Sequence, residues 1–206
     1  MKNDMVQPSD RQKFAALIYD EAQTMRSLIN DVLTLSKLDE SAFENDGATA
    51  INLYAVAQRV AGRLSSFADD QGVRVRVEGA SACIAGSETL AEEMLYNLIE
   101  NGIRYNHEGG LVTMKVGSEC VEGGLANAAY QTVVRVSDTG PGIPAELHDK
   151  VFERFFRVDK SRSKETGGTG LGLAIVKHAV MYHGGVIEVE SAEGQGTTFV
   201  LRFPSA

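Results

Sequence analysis

Residues 12–40 contain neither glycine nor proline, and apolar side chains recur through them at spacings of three and four: Phe14, Leu17 with Ile18, Ala22, Met25, Leu28 with Ile29, Val32 and Leu35. That period is the mark of an amphipathic α-helix. At ~1.5 Å per residue it runs about eight turns, and Ser9 or Asp10 stands where an N-cap is needed. So long an apolar stripe requires partner helices. The stretch that follows, ESAFENDGATA, is polar and breaks the pattern, which predicts a boundary between Asp39 and Ala50. The chain divides into residues 1–40, a linker over 41–50, and a second unit over 51–206.

Within the second unit the period alternates. Asn52 to Ala68 reads as a helix, with Leu53, Val56, Ala57, Val60 and Leu64 inward, and VRVRVEG, from Val73, reads as a half-exposed strand. Thr89 to Tyr105 reads as a second helix capped by Ser87, with Leu90, Met94, Leu95, Leu98 and Ile99 inward. LVTMKVG and QTVVRVSD are two strands of a hairpin with a loose excursion over 118–130. Leu171 to Tyr182 is a helix stopped by Gly184 and Gly185, and VIEVE and TTFVLRF are further strands ending at Pro204. Strand pairs interleaved with about three helices predict an α+β class: a two-layer α/β sandwich with a mixed sheet, preceded by one long helix.

Composition narrows the function. Twenty basic against 28 acidic side chains give a net charge of −8, so nucleic acid and anionic lipid are repelled in bulk and an anion site must be built locally. No run approaches the ~18 apolar residues of a membrane span. Cys83 and Cys120 lack metal-ligand spacing and read as packing residues in a reducing compartment. Sixteen of the 21 glycines lie from Gly102 onward, which places the specialised loops in the second half.

Four segments there carry chemistry. In NLIENGIRYN, Asn97, Asn101, Arg104 and Tyr105 recur every three or four residues, so two amides, a cation and an aromatic project from one helix face. An amide oxygen is a hard ligand for Mg²⁺, a guanidinium matches phosphate, and an aromatic ring lies over a base. The alternative, a solvated polar face, predicts mixed Lys and Glu rather than two asparagines. In VSDTGPGIP an apolar strand ends in Asp138 and turns through Gly140, Pro141 and Gly142. A carboxylate there can accept from an exocyclic amine such as adenine N6; the alternative is a tight turn in which Asp serves the local backbone. In VFERFFRVDKSRSKETG, five basic residues between Arg154 and Lys164 face Asp159 alone. Such a segment suits a lid over a polyphosphate, or is simply an exposed basic loop packed down by its phenylalanines. In GGTGLGLAIV, Gly168, Gly170 and Gly172 open a helix as an anion cradle. It has neither the Walker Lys-Ser/Thr pair nor a dinucleotide-binding G-x-G-x-x-G after a strand.

These four, in this order, resemble the asparagine box, first glycine box, phenylalanine box and second glycine box of the catalytic ATP-binding domain of two-component sensor histidine kinases. EGQGTTFVLRFP is similar to that family's closing strand, and LINDVLTLSKLDE to the end of the second helix of its dimerisation domain. The resemblance implies the histidine kinase/gyrase-type ATPase fold over residues 51–206, with residues 1–40 as a remnant of the dimerisation domain. It implies Mg²⁺ on Asn101, phosphates on Arg104 (usually Lys in the family) and Arg157, adenine against Tyr105 and Asp138, and the phosphate side over Gly168, Thr169, Gly170, Leu171, Gly172 and Leu173. Asn97, Gly140, Gly142, Ile143, Phe155 and Thr197 complete the expected pocket, and Arg157 to Gly168 is the expected lid. Gly102 stands where the family usually has Ala, a cost of up to ~1 kcal/mol in a helix, and His107 stands at a turn where proline is common.

Related ATPases place a general-base Glu at the position of Asn97, and an amide cannot accept a proton near neutral pH. The resemblance therefore implies a kinase with at most slow hydrolysis, transferring the γ-phosphate of Mg²⁺-ATP to a histidine on a dimerisation helix that these 206 residues do not include. None of His107, His148, His178 and His183 has the family's acceptor context. A response regulator, a homodimeric parent and a cytoplasmic setting, with the parent anchored in a membrane this fragment does not touch, are the implied surroundings. The alternatives are a non-catalytic nucleotide-binding or dimerisation module, or an ATPase of the same superfamily.

Overall fold

The computed structural model describes residues 10–40, 49–121, 129–158 and 169–205. Most of the expected linker, most of the expected lid, and Gly168 lie outside the described residues. The element order is α1 (Arg11–Glu40), β1 (Thr49–Asn52), α2 (Leu53–Arg63), α3 (Ser65–Asp70), β2 (Arg74–Gly79), β3 (Cys83–Gly86), α4 (Glu88–Arg104), β4 (Leu111–Val121), β5 (Ala129–Asp138), two 3-10 turns (Ala145–Leu147 and Lys150–Phe152), α5 (Gly172–Tyr182), β6 (Val186–Ser191) and β7 (Thr197–Pro204).

Five strands form a mixed sheet in the order β2-β4-β5-β7-β6. β2 runs parallel to β4, Val75 beside Val112, and the other pairings are antiparallel, Val134 lying between Val116 and Leu201. Helices α2, α4 and α5 cover one face. Between the layers lie Leu53, Val56, Leu95, Leu98, Ile99, Met114, Val134, Val180, Leu201 and Phe203, all but closed to solvent. Each such side chain contributes about 1.5–3 kcal/mol over leaving it exposed, so this layer interface is a main source of the fold's stability. On the far face Arg135 pairs with Glu119 at 2.5 Å and Arg202 with Glu188 at 2.6 Å, while Val133 and Val200 on the same face are closed to solvent. The expected α+β sandwich with a mixed sheet, behind one long helix, is the observed architecture.

Local differences have local causes. The helix expected over 52–68 is two, bent at Leu64 (φ −92°, ψ 1°), because Leu64 and Ala68 both turn into the core as the chain heads for β2. Asn52 caps α2, its Oδ1 accepting from Tyr54 and Ala55 N–H at 3.1 and 3.2 Å. Ser87 caps α4 as expected, accepting from Leu90 N–H at 3.4 Å. The expected excursion over 118–130 is shorter, since pairing continues to Val121 opposite Ala129. β1 and β3 form a separate two-stranded ladder that periodicity did not signal. Cys83 is half-buried, whereas Cys120 is exposed, so packing accounts only for the first. α1 meets the rest of the structure at the start of α5, where Leu28 packs on Leu171 and Ile175; Phe14, Leu17, Ile18, Met25 and Ile29 are exposed.

Candidate functional site

A cleft of about 680 Å³ opens between α4, the turn after β5, the second 3-10 turn and the start of α5. That is ample for a drug-sized or nucleotide ligand. α4 sets one wall because its inward stripe of Ala91, Met94, Leu95, Leu98 and Ile99 fixes its rotation on the sheet. The polar set then has one place to go: Asn97, Asn101, Arg104 and Tyr105 all line the cleft.

Asn97 is held in a defined orientation. Its Nδ2 donates to Glu93 O at 2.9 Å, which leaves Oδ1 against the glycine loop: a Cβ added at Gly172 would stand 2.6 Å from that oxygen and 3.8 Å from Asn101 Nδ2. The absence of a side chain at Gly172 is what lets the two helices bring backbone and amides together. α5 begins here, and Leu171 N–H is satisfied by Thr169 Oγ1 at 3.2 Å. Its N-terminus supplies backbone donors and a positive dipole end to the cleft.

The opposite end is built on a half-buried carboxylate. Asp138 Oδ1 accepts from Gly140 N–H at 2.8 Å and Thr197 N–H at 3.3 Å. Burial pushes its pKa above the usual carboxylate range, and the two N–H donors offset this only in part. Neither hydrogen bond uses Oδ2. The turn that follows is pinned by Gly142 (φ +75°), where a Cβ would fall 2.0 Å from Ala192 O, and by Gly194 N–H donating to Pro141 O at 2.7 Å. Ser191 Oγ donates to Gly196 O and accepts from Ile143 N–H, each at 2.8 Å, so Thr197 Oγ1 is the donor in its 3.0 Å contact with Ser191. Ile143 and Thr197 are fixed at the wall by this chain.

Of the residues expected here, Asn97, Asn101, Arg104, Tyr105, Asp138, Gly142, Ile143, Arg157, Thr169, Gly170, Gly172, Leu173 and Thr197 line the cleft. Three described ones do not. Gly140 lies beneath, as a donor to Asp138. Leu171 is fully buried against Leu28 and Ile175. Phe155 is 64 % exposed, and at φ +64° its backbone turns the ring outward, while its N–H donates to Gly170 O at 2.9 Å. The neighbouring Phe156 lines the cleft instead. Such a φ is strained for a bulky residue, and nothing in FERFF distinguishes the two rings beforehand.

Sequence reasoning also missed Tyr96, Glu100 and Asn106, which line the cleft. Glu100, the neighbour of Asn101, does not share its helix face, yet the cleft wraps further round α4 than that one face. Its i, i+4 relation to Arg104 was the signal available. Asn106 closes the turn after α4, donating to Gly102 O at 3.1 Å and accepting from Thr139 Oγ1 at 3.1 Å. Gly102 itself has a spatial reason: a Cβ there would meet both Val112 methyls at 3.1 and 3.2 Å.

This cleft can take an anion against neutral donors at one end and a hydrogen-bond donor on a half-buried carboxylate at the other, with Tyr105 near that carboxylate. Such a division suits a nucleotide held on a sandwich of helices and mixed sheet. Residues 86–206 match the profile of the histidine kinase-, DNA gyrase B- and HSP90-like ATPases, and the chain belongs to that family.

Its relatives are named sensor kinases. It is 34 % identical over 194 residues to the sensor-like histidine kinase SenX3 of Mycobacterium tuberculosis, covering 94 % of this chain and 45 % of SenX3. It is 38 % identical over 186 residues to the sensor protein IrlS of Burkholderia pseudomallei, covering 90 % of this chain and 38 % of IrlS. The chain thus spans less than half the length of these relatives. Among solved structures, the mycobacterial sensor histidine kinase MprB matches with a TM-score of 0.63 at 26 % identity, covering 77 % of this chain and 97 % of that one. Full-length ShkA in complex with AMPPNP matches with a TM-score of 0.75 at 25 % identity, covering 99 % of this chain and 40 % of that one.

Proposed function

We propose that this cleft binds Mg²⁺-ATP and that the chain transfers the γ-phosphoryl group to a histidine on a dimerisation helix outside these residues, within a two-component signalling protein. The observation that carries the kinase reading is Asn97. Its amide stands one turn before Asn101 with Nδ2 tied to Glu93 O, so the position suited to activating water holds a group that cannot take a proton. Phosphoryl transfer to an imidazole needs chiefly positioning and charge stabilisation. The bond from the γ-phosphorus to the bridging oxygen breaks, ADP leaves, and a bond forms from phosphorus to the imidazole nitrogen.

The residues divide this work. Asp138 accepts the adenine amine on its Oδ2, and Tyr105, 43 % exposed at the end of α4, covers the base. Gly170, Gly172 and the start of α5 present N–H groups to the phosphates, with Arg104 and Arg157. The Asn101 amide oxygen is a fitting hard ligand for Mg²⁺, which would neutralise charge on the triphosphate when bound. That a structural relative was solved with the ATP analogue AMPPNP supports the nucleotide assignment.

Residues 1–40 then belong to a dimerisation domain, residues 41–50 to a linker and residues 51–206 to the catalytic unit, in a cytoplasmic setting with a response regulator as downstream partner. The exposed Phe14, Ile18, Met25 and Ile29 of α1 support a homodimeric parent. No helix among the described residues is long and apolar enough to cross a membrane. None of the four histidines lines the cleft, which supports an acceptor elsewhere. The test is incubation with γ-labelled Mg²⁺-ATP, alone and with a separately supplied acceptor helix pair. Acid-labile label should appear on the supplied histidine only; label on a histidine of this chain, or none with ATP bound, would overturn the reading.

A further inference from the structure

Arg104 does not stand in the cleft as an uncommitted cation. Its Nη2 donates to Glu100 Oε1 at 2.6 Å, one turn back on α4, with the two side chains only 23 % and 25 % exposed. Its Cζ also lies 5.5 Å from the ring centroid of Phe67 on α3. Glu100 lines the cleft beside it and acts on its surroundings electrostatically: after burial, it is the main cause that raises the Tyr96 hydroxyl pKa. A carboxylate from the same helix and an aromatic from another element therefore fix the guanidinium expected to serve the phosphates.

We infer that Glu100 is a positioning residue that holds Arg104 against Phe67 and competes with nucleotide phosphates for its guanidinium, lowering affinity for the phosphate-bearing part of the ligand alone. This rests on the reading of the cleft as a nucleotide site. The guanidinium presents five donors in a rigid fork, so one edge can stay on Glu100 while another turns to an anion. An approaching phosphate meets an Arg–Glu pair of zero net charge in place of a lone cation. A pair three-quarters buried is screened by salt far less than a surface pair, so the discount persists at physiological ionic strength. The consequence suits a turnover enzyme: ADP, which carries the same α- and β-phosphates as ATP, is released faster.

Glu100→Gln keeps the shape and an acceptor oxygen while removing the charge, and it leaves the Phe67 stack in place. Calorimetry in Mg²⁺ should show the Kd for ATP falling roughly three- to tenfold, with adenosine unchanged. Glu100→Ala should shift ATP in the same direction. In an Arg104→Met background the gain should disappear. Unchanged or weaker ATP binding in Glu100→Gln would sink the proposal. So would an equal gain for adenosine, or a gain that survives in Arg104→Met, which would mean that Glu100 repels phosphate directly. If the unmutated chain binds no ATP, the nucleotide reading fails and this inference with it. That result is told apart from the others by the first titration.

Discussion

Gly172→Ala separates binding from stability at a single methyl group. Gly172 is not in the left-handed region, so the backbone itself tolerates alanine. The added Cβ, however, would stand 2.6 Å from Asn97 Oδ1 and 3.5 Å from its Cγ. Restoring an ordinary 3.4 Å contact requires a displacement of 3.4 − 2.6, or 0.8 Å. The amide cannot yield that much without losing its 2.9 Å bond to Glu93 O. The lost bond costs about 0.5–1.5 kcal/mol. Alanine in place of glycine returns up to about 1 kcal/mol of helix propensity, less at a first helical position. The two nearly cancel, so net stability should move by less than about 1 kcal/mol, which is ~2–4 °C in Tm for a chain of this size.

Binding has no such compensation. Displacing Asn97 from the loop proposed to face the phosphates should weaken ATP by at least about 1.4 kcal/mol, a tenfold rise in Kd. Calorimetry and thermal denaturation of the same samples read both quantities. The double variant Asn97→Ala/Gly172→Ala supplies the control: with the amide gone the new methyl has room, so its Kd should equal that of Asn97→Ala alone. An unchanged Kd in Gly172→Ala, or additive losses in the double variant, would refute the argued contact.

Two further outcomes follow from titrating groups. Asp138 has its pKa raised by burial, so its ionisation costs stability as pH rises through the folded-state value; Asp138→Asn should raise Tm at neutral pH without nucleotide while weakening ATP at least tenfold, or about 1.4 kcal/mol. In the unmutated chain ATP affinity should fall as pH drops through that raised pKa, because the adenine amine needs the ionised form. A pH-independent Kd there would exclude Asp138 as the acceptor. His183 sits buried between α5 and the start of α4, its Nδ1 donating to Ala179 O at 2.7 Å and its Nε2 accepting from Ser87 N–H at 3.2 Å. Burial lowers its pKa below the ordinary 6.5, so the unfolded chain takes the proton first and stability is lost as pH falls from 6.5 toward the lowered value. Chemical denaturation against pH should show that slope, and His183→Gln should flatten it.

The legible parts of this chain were those where one physical requirement acts over many residues. α1 and α4 showed themselves through a period sustained over several turns, and Asn97 and Asn101 through amides where that period leaves room for a polar face. β1 and β3 were invisible because TAIN and CIAG span four residues each, too short for alternation to register. The end of the β4–β5 hairpin was underestimated for a different reason. β7 pairs with β5 only as far as Gln131 opposite Pro204, so among the described residues the last rungs of the hairpin have no third strand beside them. Phe155 and Phe156 were beyond reach altogether, since one backbone angle decides which ring enters the cleft. Leu171 reads as part of a glycine loop, but its side chain answers to Leu28, some 140 positions earlier.

The charges at the cleft give the glycine-rich character of this half of the chain a physical reason. Among the described lining residues, Arg104 and Arg157 stand against Glu93, Glu100, Asp138 and Glu193, in a chain whose total is −8. A polyanion gains little from such a wall through side-chain charge alone. On the proposed reading its favourable contacts come from donors without counter-charges, which here means backbone N–H groups at the start of α5. Backbone donors serve only where side chains stand aside, as Gly172 does for Asn97. Neutral donors also bind without fixing a strong opposite charge in the site, so the ligand can be exchanged. A side-chain methyl at Gly172 and a removed carboxylate at Glu100 should therefore push nucleotide affinity in opposite directions, the first by blocking neutral donors and the second by freeing a charged one.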